Sequence, residues 1–273
     1  MPMADDSYFD DDSMLRRVQG ERMLMISGPR ALLMQAAHPL AVEGLLAHTA
    51  GLDDPYERLE RTAEVMTTIG FGSRKDADRV TKRVRAMHRR VRGKIDRDVG
   101  IFPAGTPYAA DDPELLMWVL FSLVDSGIVV YERFVGAMRV DEKERYWADF
   151  RIVGGLFGLE PTEMPADLDE LTKYRELMYA SGRLHVSDWA RTKAREIVFQ
   201  PPVPIALRPL VEAVNYATIA LLPEPIRSQY GFAPIPPALV RGLTVRAAAE
   251  YTKRIVLPLL PAGVRRIPAA RTA

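Results

Sequence analysis

The sequence predicts an all-α protein built as one domain, and three observations carry that expectation. Apolar residues recur at helical spacing through most of the chain, no segment alternates apolar and polar residues as a half-buried strand would, and proline or glycine stands where the periodic stretches end. At 273 residues and 48% apolar, the chain can bury one large core without dividing. Residues 1–13, MPMADDSYFDDDS, are acidic and read as a disordered arm, with the domain running from 14 to 273. The arm lacks the positive start and apolar centre of a secretory signal, which points to a cytoplasmic protein.

The elements follow in order. RALLMQAAHPLAVEGLLAHT (30–49) is rich in leucine, alanine and methionine, which favour helix, and Pro39 should bend or break it. A second helix is expected from about Tyr56 to Ile69, opened by Pro55 and closed by Gly70 and Gly72. After SRKD comes VTKRVRAMHRRVR (80–92), where Val80, Val84, Met87 and Val91 mark an inward stripe. His88 lies four residues after Val84 and three before Val91, so it falls on that stripe and not among the arginines. Residues 93–112 read as loop, with Asp112 as a helix cap and Pro113 in the first turn. The helix from Leu115 to Gly136 is the most apolar in the chain. Its run is cut by Asp125, which fits a buried central helix better than a membrane span. Residues 141–158 and 167–182 are amphipathic helices closed by glycine, and VSDWARTKAREIVF (186–199) is the next. The proline-rich 200–210 reads as a rigid connection before two or three further helices.

Composition narrows the chemistry. With no cysteine, disulfides, thiolate metal sites, iron–sulfur clusters and cysteine nucleophiles are excluded. The 37 basic and 36 acidic residues cancel, so a surface tuned throughout to nucleic acid is not expected. Locally, Arg74 to Arg97 carries eleven Lys or Arg against Asp76, Asp78 and Asp96, which keeps a helical nucleic-acid binder as a third reading despite the lack of interleaved aromatics. The basic tail, with Arg246, Lys253, Arg254, Arg265 and Arg266 around IVLPLLP, could touch a membrane surface.

Three polar residues, His38, His88 and Asp125, stand in apolar helical context, where each needs a partner or a ligand. A hydrogen-bonded structural role is the simple explanation for each. The four histidines, His38, His48, His88 and His185, form no HExxH pair and no Glu-x-x-His motif, so zinc and di-iron sites are disfavoured. Haem asks for a single axial side chain, an apolar pocket and cations for its propionates, which a sparse histidine set suits. On YERLERTAE, Arg58 and Thr62 share a face with Arg61 close by. They could hold a carboxylate or propionate, or simply pair with Glu57, Glu60 or Glu64 at the surface.

GPRALLMQAAHPLAVEGLLAHT, PYERLERTAEVMTTIGFG, RVRAMHRRVRG, YAADDPELLMWVLFSLVDSGIVVYERFVG and LLPEPIRSQYGF together resemble the oxygenase domain shared by latex-clearing rubber oxygenases and MpaB-type oxygenases of mycophenolic acid biosynthesis. The resemblance covers about residues 14 to 260. It implies a globin-like helical fold that binds haem b and attacks carbon–carbon double bonds with dioxygen. By that similarity His88 is the axial ligand of the iron. Arg58, Arg61 and Thr62 match an Arg-x-x-Lys-Thr cluster near the haem, with arginine replacing the lysine, and Glu43 falls where a base is proposed. His38 is then assigned to the distal side as hydrogen-bond donor or acid/base, with Asp125 supporting the cofactor and His48 the same region. Rubber oxygenases are secreted and carry extra helices, which argues against polyisoprene as substrate here. Relatives often place another histidine after LLMWV, where this chain has Leu120 and Phe121. Leu33, Met34, Leu116, Val119 and Phe121 suggest a hydrophobic substrate, isoprenoid or lipid, although core packing explains each of them too. A haem or lipid carrier without turnover is the alternative.

Overall fold

The computed structural model describes residues 6–48, 55–199 and 208–232, together with 250, 253–254, 261 and 265–267. Residues 6–13 of the acidic stretch are held against the body. Phe9 is buried, Tyr8 Oη donates to Asp78 at 2.6 Å, and Arg16 pairs with Asp11. Ser13 then caps α1 (Met14–Gln19), a helix the sequence reading passed over, and a short 3-10 turn leads into α2 (Ser27–Gln35).

Pro39 acts as expected. The apolar stretch splits there into α2 and α3 (Pro39–His48), with His38 at the junction. A two-residue turn joins α4 (Pro55–Phe71) to α5 (Arg74–His88), and Ser73 Oγ caps α5 by accepting from Asp76 N. The buried face of α5 is Ala77 and Thr81, flanked by half-buried Val80, Val84 and His88. Met87 is 54% exposed and leaves the stripe assigned to it, because at 100° per residue it lies about 80° around the helix from Ala77.

The loop expected at 93–112 contains a strand pair missed in the sequence. β1 (Arg92–Lys94) pairs antiparallel with β2 (Pro107–Ala109), and both pack on α3. Three residues per strand are too few for an alternating pattern to show. Asp112 Oδ1 accepts from Glu114 N to open α6 (Pro113–Phe134), which runs through the centre against α1, α2 and the following helix, α7 (Val140–Phe157). By length and apolarity α6 could cross a bilayer, yet it buries Trp118, Phe121, Val124 and Val130 in the protein core. Gly158, at φ 102°, closes α7 in a left-handed turn that lets Leu159 N reach Gly154 O. Helices α8 (Leu168–Ala180), α9 (Asp188–Phe199), α10 (Arg208–Leu221) and α11 (Glu224–Gln229) follow.

The expected proline-rich connection falls largely outside the described residues, as does Arg246. The other tail cations are engaged by protein. Arg265 grips buried Glu21 through both carboxylate oxygens, at 2.9 and 2.7 Å, with Arg266 3.4 Å from the same carboxylate. Lys253 donates to Glu132 O, and Arg254 pairs with Glu250. The fold is an all-α multi-helix domain with one small strand pair.

Candidate functional site

The α2–α3 junction is fixed from three directions. Tyr230 Oη donates to Leu33 O at 2.7 Å, Trp118 Nε1 to Met34 O at 3.1 Å, and His185 N to Ala37 O at 2.8 Å. Backbone carbonyls at the end of α2 and just before His38 are thereby bonded from the residue after α11, from α6 and from the loop before α9. His38 N donates to Gln35 O, and His38 O accepts from Ala41 N and Val42 N to start α3.

That backbone puts the His38 ring at 0% exposure with neither nitrogen hydrogen-bonded among the described residues. Nε2 lies 3.5 Å from Glu114 Oε1, too far for a hydrogen bond, and the ring centroid is 5.6 Å from Phe102. Burial pushes the imidazole pKa down, outweighing the upward pull of the Glu114 charge, so His38 is neutral near pH 7. Glu114 in the first turn of α6 pairs with Arg183, which raises the guanidinium pKa further, and this pair is partly exposed. Tyr174 on α8 also feels Glu114. Its hydroxyl is buried without a hydrogen bond among the described residues, and burial keeps it protonated. Its ring meets Phe121 edge-on at 5.6 Å, and Phe121 stacks on Trp118 at 5.6 Å.

The other expected residues disperse. Glu43 is buried on α3, where burial raises its carboxyl pKa against the pull of Arg97, whose Nη2 donates to it at 2.5 Å. Asp125 accepts from Arg30 Nη2 at 2.7 Å, while Arg30 Nη1 donates to Ser126 Oγ and Nε to Leu221 O. Arg30 is 2% exposed, so Asp125 neutralises a cation inside the α2–α6 contact. Arg61 and Thr62 are exposed on α4. The side chains of Arg58 and His48 lie outside the described residues. His88 ends α5 half-buried, its carbonyl accepting from Val91 N on the way to β1. Arg58 and His88 stand thirteen and fourteen residues from the turn between their helices, each about 20 Å along its helix. Of the proposed substrate lining, Leu33, Met34 and Phe121 belong to the packed core, with Leu116 against it.

Sequence reasoning missed Arg30, Glu114, Tyr174 and Arg183. Arg30 carried a signal, since it shares the inward spacing of Leu33, Met34 and Ala37. Glu114 was read only as part of a helix start, and Arg183 sits in a loop without periodicity. Among the described residues no group of three or more His, Asp or Glu is arranged to hold a metal ion. Two basic grooves run along α5, one of about 400 Å³ lined by Thr81, Arg85, Arg89 and Gly155, the other of about 390 Å³ lined by Arg83, Met87 and Arg90.

A family model, that of the ER-bound oxygenase mpaB/B'/Rubber oxygenase catalytic domain, matches residues 15–254. No curated protein and no solved structure matches the chain.

Proposed function

We propose that this chain, which belongs to the family of ER-bound oxygenase mpaB/B' and rubber oxygenase catalytic domains, is a haem b-dependent oxygenase acting with dioxygen on a hydrophobic small molecule. The family supports oxygenase chemistry on a small molecule. Haem, the ligand assignment and the apolar substrate are our reading.

The donor set fits a cofactor that asks little of the protein. Haem asks for a single axial side chain, and we assign His88, an imidazole at the end of α5, to that role. Arg58 and Arg61 on α4 are the cations assigned to the propionates, with Thr62 beside them. When bound, the haem supplies the means of activating dioxygen. The protein supplies proton handling. His38, buried and neutral, can accept a proton at one ring nitrogen and donate from the other, and Glu43 is a buried carboxyl whose proton affinity is raised while Arg97 holds it in place.

Within this chain the reading rests most on His38. A structural histidine at 0% exposure would have its nitrogens bonded, and this one has neither bonded among the described residues. Full-length protein made with a haem precursor is expected to show a Soret band that His88→Ala abolishes and His38→Ala retains. A band lost in His38→Ala but kept in His88→Ala would reverse the ligand assignment, and no band in any preparation would end the haem reading.

A further inference from the structure

Around His38 the chain has a surplus of donors. Tyr174 keeps its proton and offers an O–H with no acceptor among the described residues. Neutral His38 offers one N–H and one lone pair, with no contact shorter than the 3.5 Å from Nε2 to Glu114 among the described residues. Arg183 offers five N–H groups, and its recorded side-chain partner is Glu114. Against these stand the carboxylate of Glu114, paired with Arg183 and 3.5 Å from His38 Nε2, and that of Asp112, whose charge also acts on His38 and Arg183 but which is engaged in capping α6. Among the described residues no acceptor oxygen stands at hydrogen-bonding distance from Tyr174 Oη or the His38 ring.

The surroundings of this cluster restrict what could bring one. Phe102 lies against His38, Phe121 against Tyr174, and Trp118 against Phe121, so the side chains packed around the polar atoms are aromatic. The route in is polar, because the Glu114 and Arg183 side chains are 40% and 42% exposed while the His38 side chain is at 0%. Glu114 can therefore turn outward into water without breaking the hydrogen bond from its backbone N–H to Asp112 that starts α6.

We propose that His38, Tyr174 and Arg183 form a binding site for a carboxylic acid with an apolar body, and that Glu114 occupies the carboxylate position when no ligand is bound. A ligand carboxylate has about four lone-pair positions, enough for the Tyr174 hydroxyl, the His38 N–H and Arg183 together. Displaced Glu114 moves to solvent, and the alkyl part lies against the half-buried ring of Phe102. The site uses no atom of the cofactor and takes its ligand in protein without haem, so its test is separate from that of the oxygenase reading.

Displacement makes an unusual demand: removing the native carboxylate should improve binding. Octanoate, with acetate and octanol as controls, is titrated against full-length wild type, Glu114→Gln, Arg183→Gln and Tyr174→Phe, followed by thermal shift and by the carboxyl signal of 13C-labelled octanoate. Wild type is expected to bind octanoate in preference to both controls, since acetate lacks the alkyl part and octanol lacks the charge. Glu114→Gln should bind octanoate on the order of tenfold more tightly, the change expected when a competing, partly exposed charge-assisted contact is removed. Arg183→Gln should lose most of the binding, and Tyr174→Phe part of it. Equal response to octanoate and octanol, or weaker binding in Glu114→Gln, overturns the proposal. So does a wild type that binds no octanoate, which would mean that a buried water satisfies His38 and Tyr174. If Glu114→Gln does not fold, the octanoate preference of wild type and its loss in Arg183→Gln still decide.

Discussion

Replacing Arg30 by methionine should destabilise the protein through Asp125. Arg30 is 2% exposed and gives up four contacts, to Asp125 Oδ2 at 2.7 Å, Ser126 Oγ at 2.7 Å, Leu221 O at 2.9 Å and Met34 Sδ at 3.1 Å. Removing one member of a buried ion pair costs about 3–5 kcal/mol, mostly because the other charge is left without a partner. Water can reach the Asp125 side chain, 16% exposed, so the lower end applies and the expected loss is about 3 kcal/mol. At roughly 2–4 °C per kcal/mol for a domain of this size, that is a Tm lowered by about 6–12 °C. Urea unfolding followed by tryptophan fluorescence measures it, with the midpoint falling and the slope unchanged. The double variant Arg30→Met with Asp125→Leu removes both charges and should recover most of the loss. A single variant within about 1 kcal/mol of wild type, or a double variant no better than the single, would refute the argument. The result also separates two roles for Asp125. Asp125→Asn protein kept below its unfolding transition should retain any bound cofactor, and loss of cofactor without loss of stability would return Asp125 to the cofactor site.

Two further expectations follow from particular packing contacts. His38 titrates below its ordinary value of 6.5 because it is buried, so between that folded value and pH 6.5 the unfolded chain binds the extra proton. Stability contributed by neutral His38 is therefore fully present above pH 6.5 and drains away as the pH falls below it; urea midpoints should show a downward slope there that His38→Gln reduces, and identical slopes in both proteins would count against the assignment. At Gly127 in α6, a Cβ would run into the Tyr146 hydroxyl of α7. Gly127→Ala should cost about 1–3 kcal/mol by overpacking and be relieved by Tyr146→Phe; an unchanged urea midpoint would show that the helices move apart freely.

Much of the helical frame was legible because its signals are local. Asp112 with Pro113, Pro39 within an apolar run and Gly158 after a periodic stretch each act within one turn of helix, so a short window contains the whole cause. Met87 shows where such windows fail. Spacing places it near the inward side, but which edge of the stripe is covered depends on where α4 and α7 lie, and neither is encoded within α5. The strand pair was missed for a related reason, since strands this short are held by pairing with each other and by packing on α3.

The site was legible only in part, because His38 could be recognised as a polar residue in apolar surroundings while its neighbours could not. Phe102, Glu114, Tyr174 and Arg183 come from the strand-pair loop, the start of α6, α8 and the loop beyond it, and none is periodic with His38. What joins them is backbone. The hydrogen bond from His185 N to Ala37 O ties the loop carrying Arg183 to the residue preceding His38, and Trp118 Nε1 on Met34 O ties α6, and with it Glu114, to the same junction. Both anchors come from chain segments remote from residue 38, so they exist only once α2 has packed on α6. Asp125 belongs to the same contact in another capacity: by neutralising Arg30 it lets α2 lie against α6, and so it shapes the surroundings of His38 without facing them. A polar residue in an apolar stretch marked a real energetic problem in both cases. At Asp125 the fold supplies the partner, and at His38 no partner stands within hydrogen-bonding distance among the described residues.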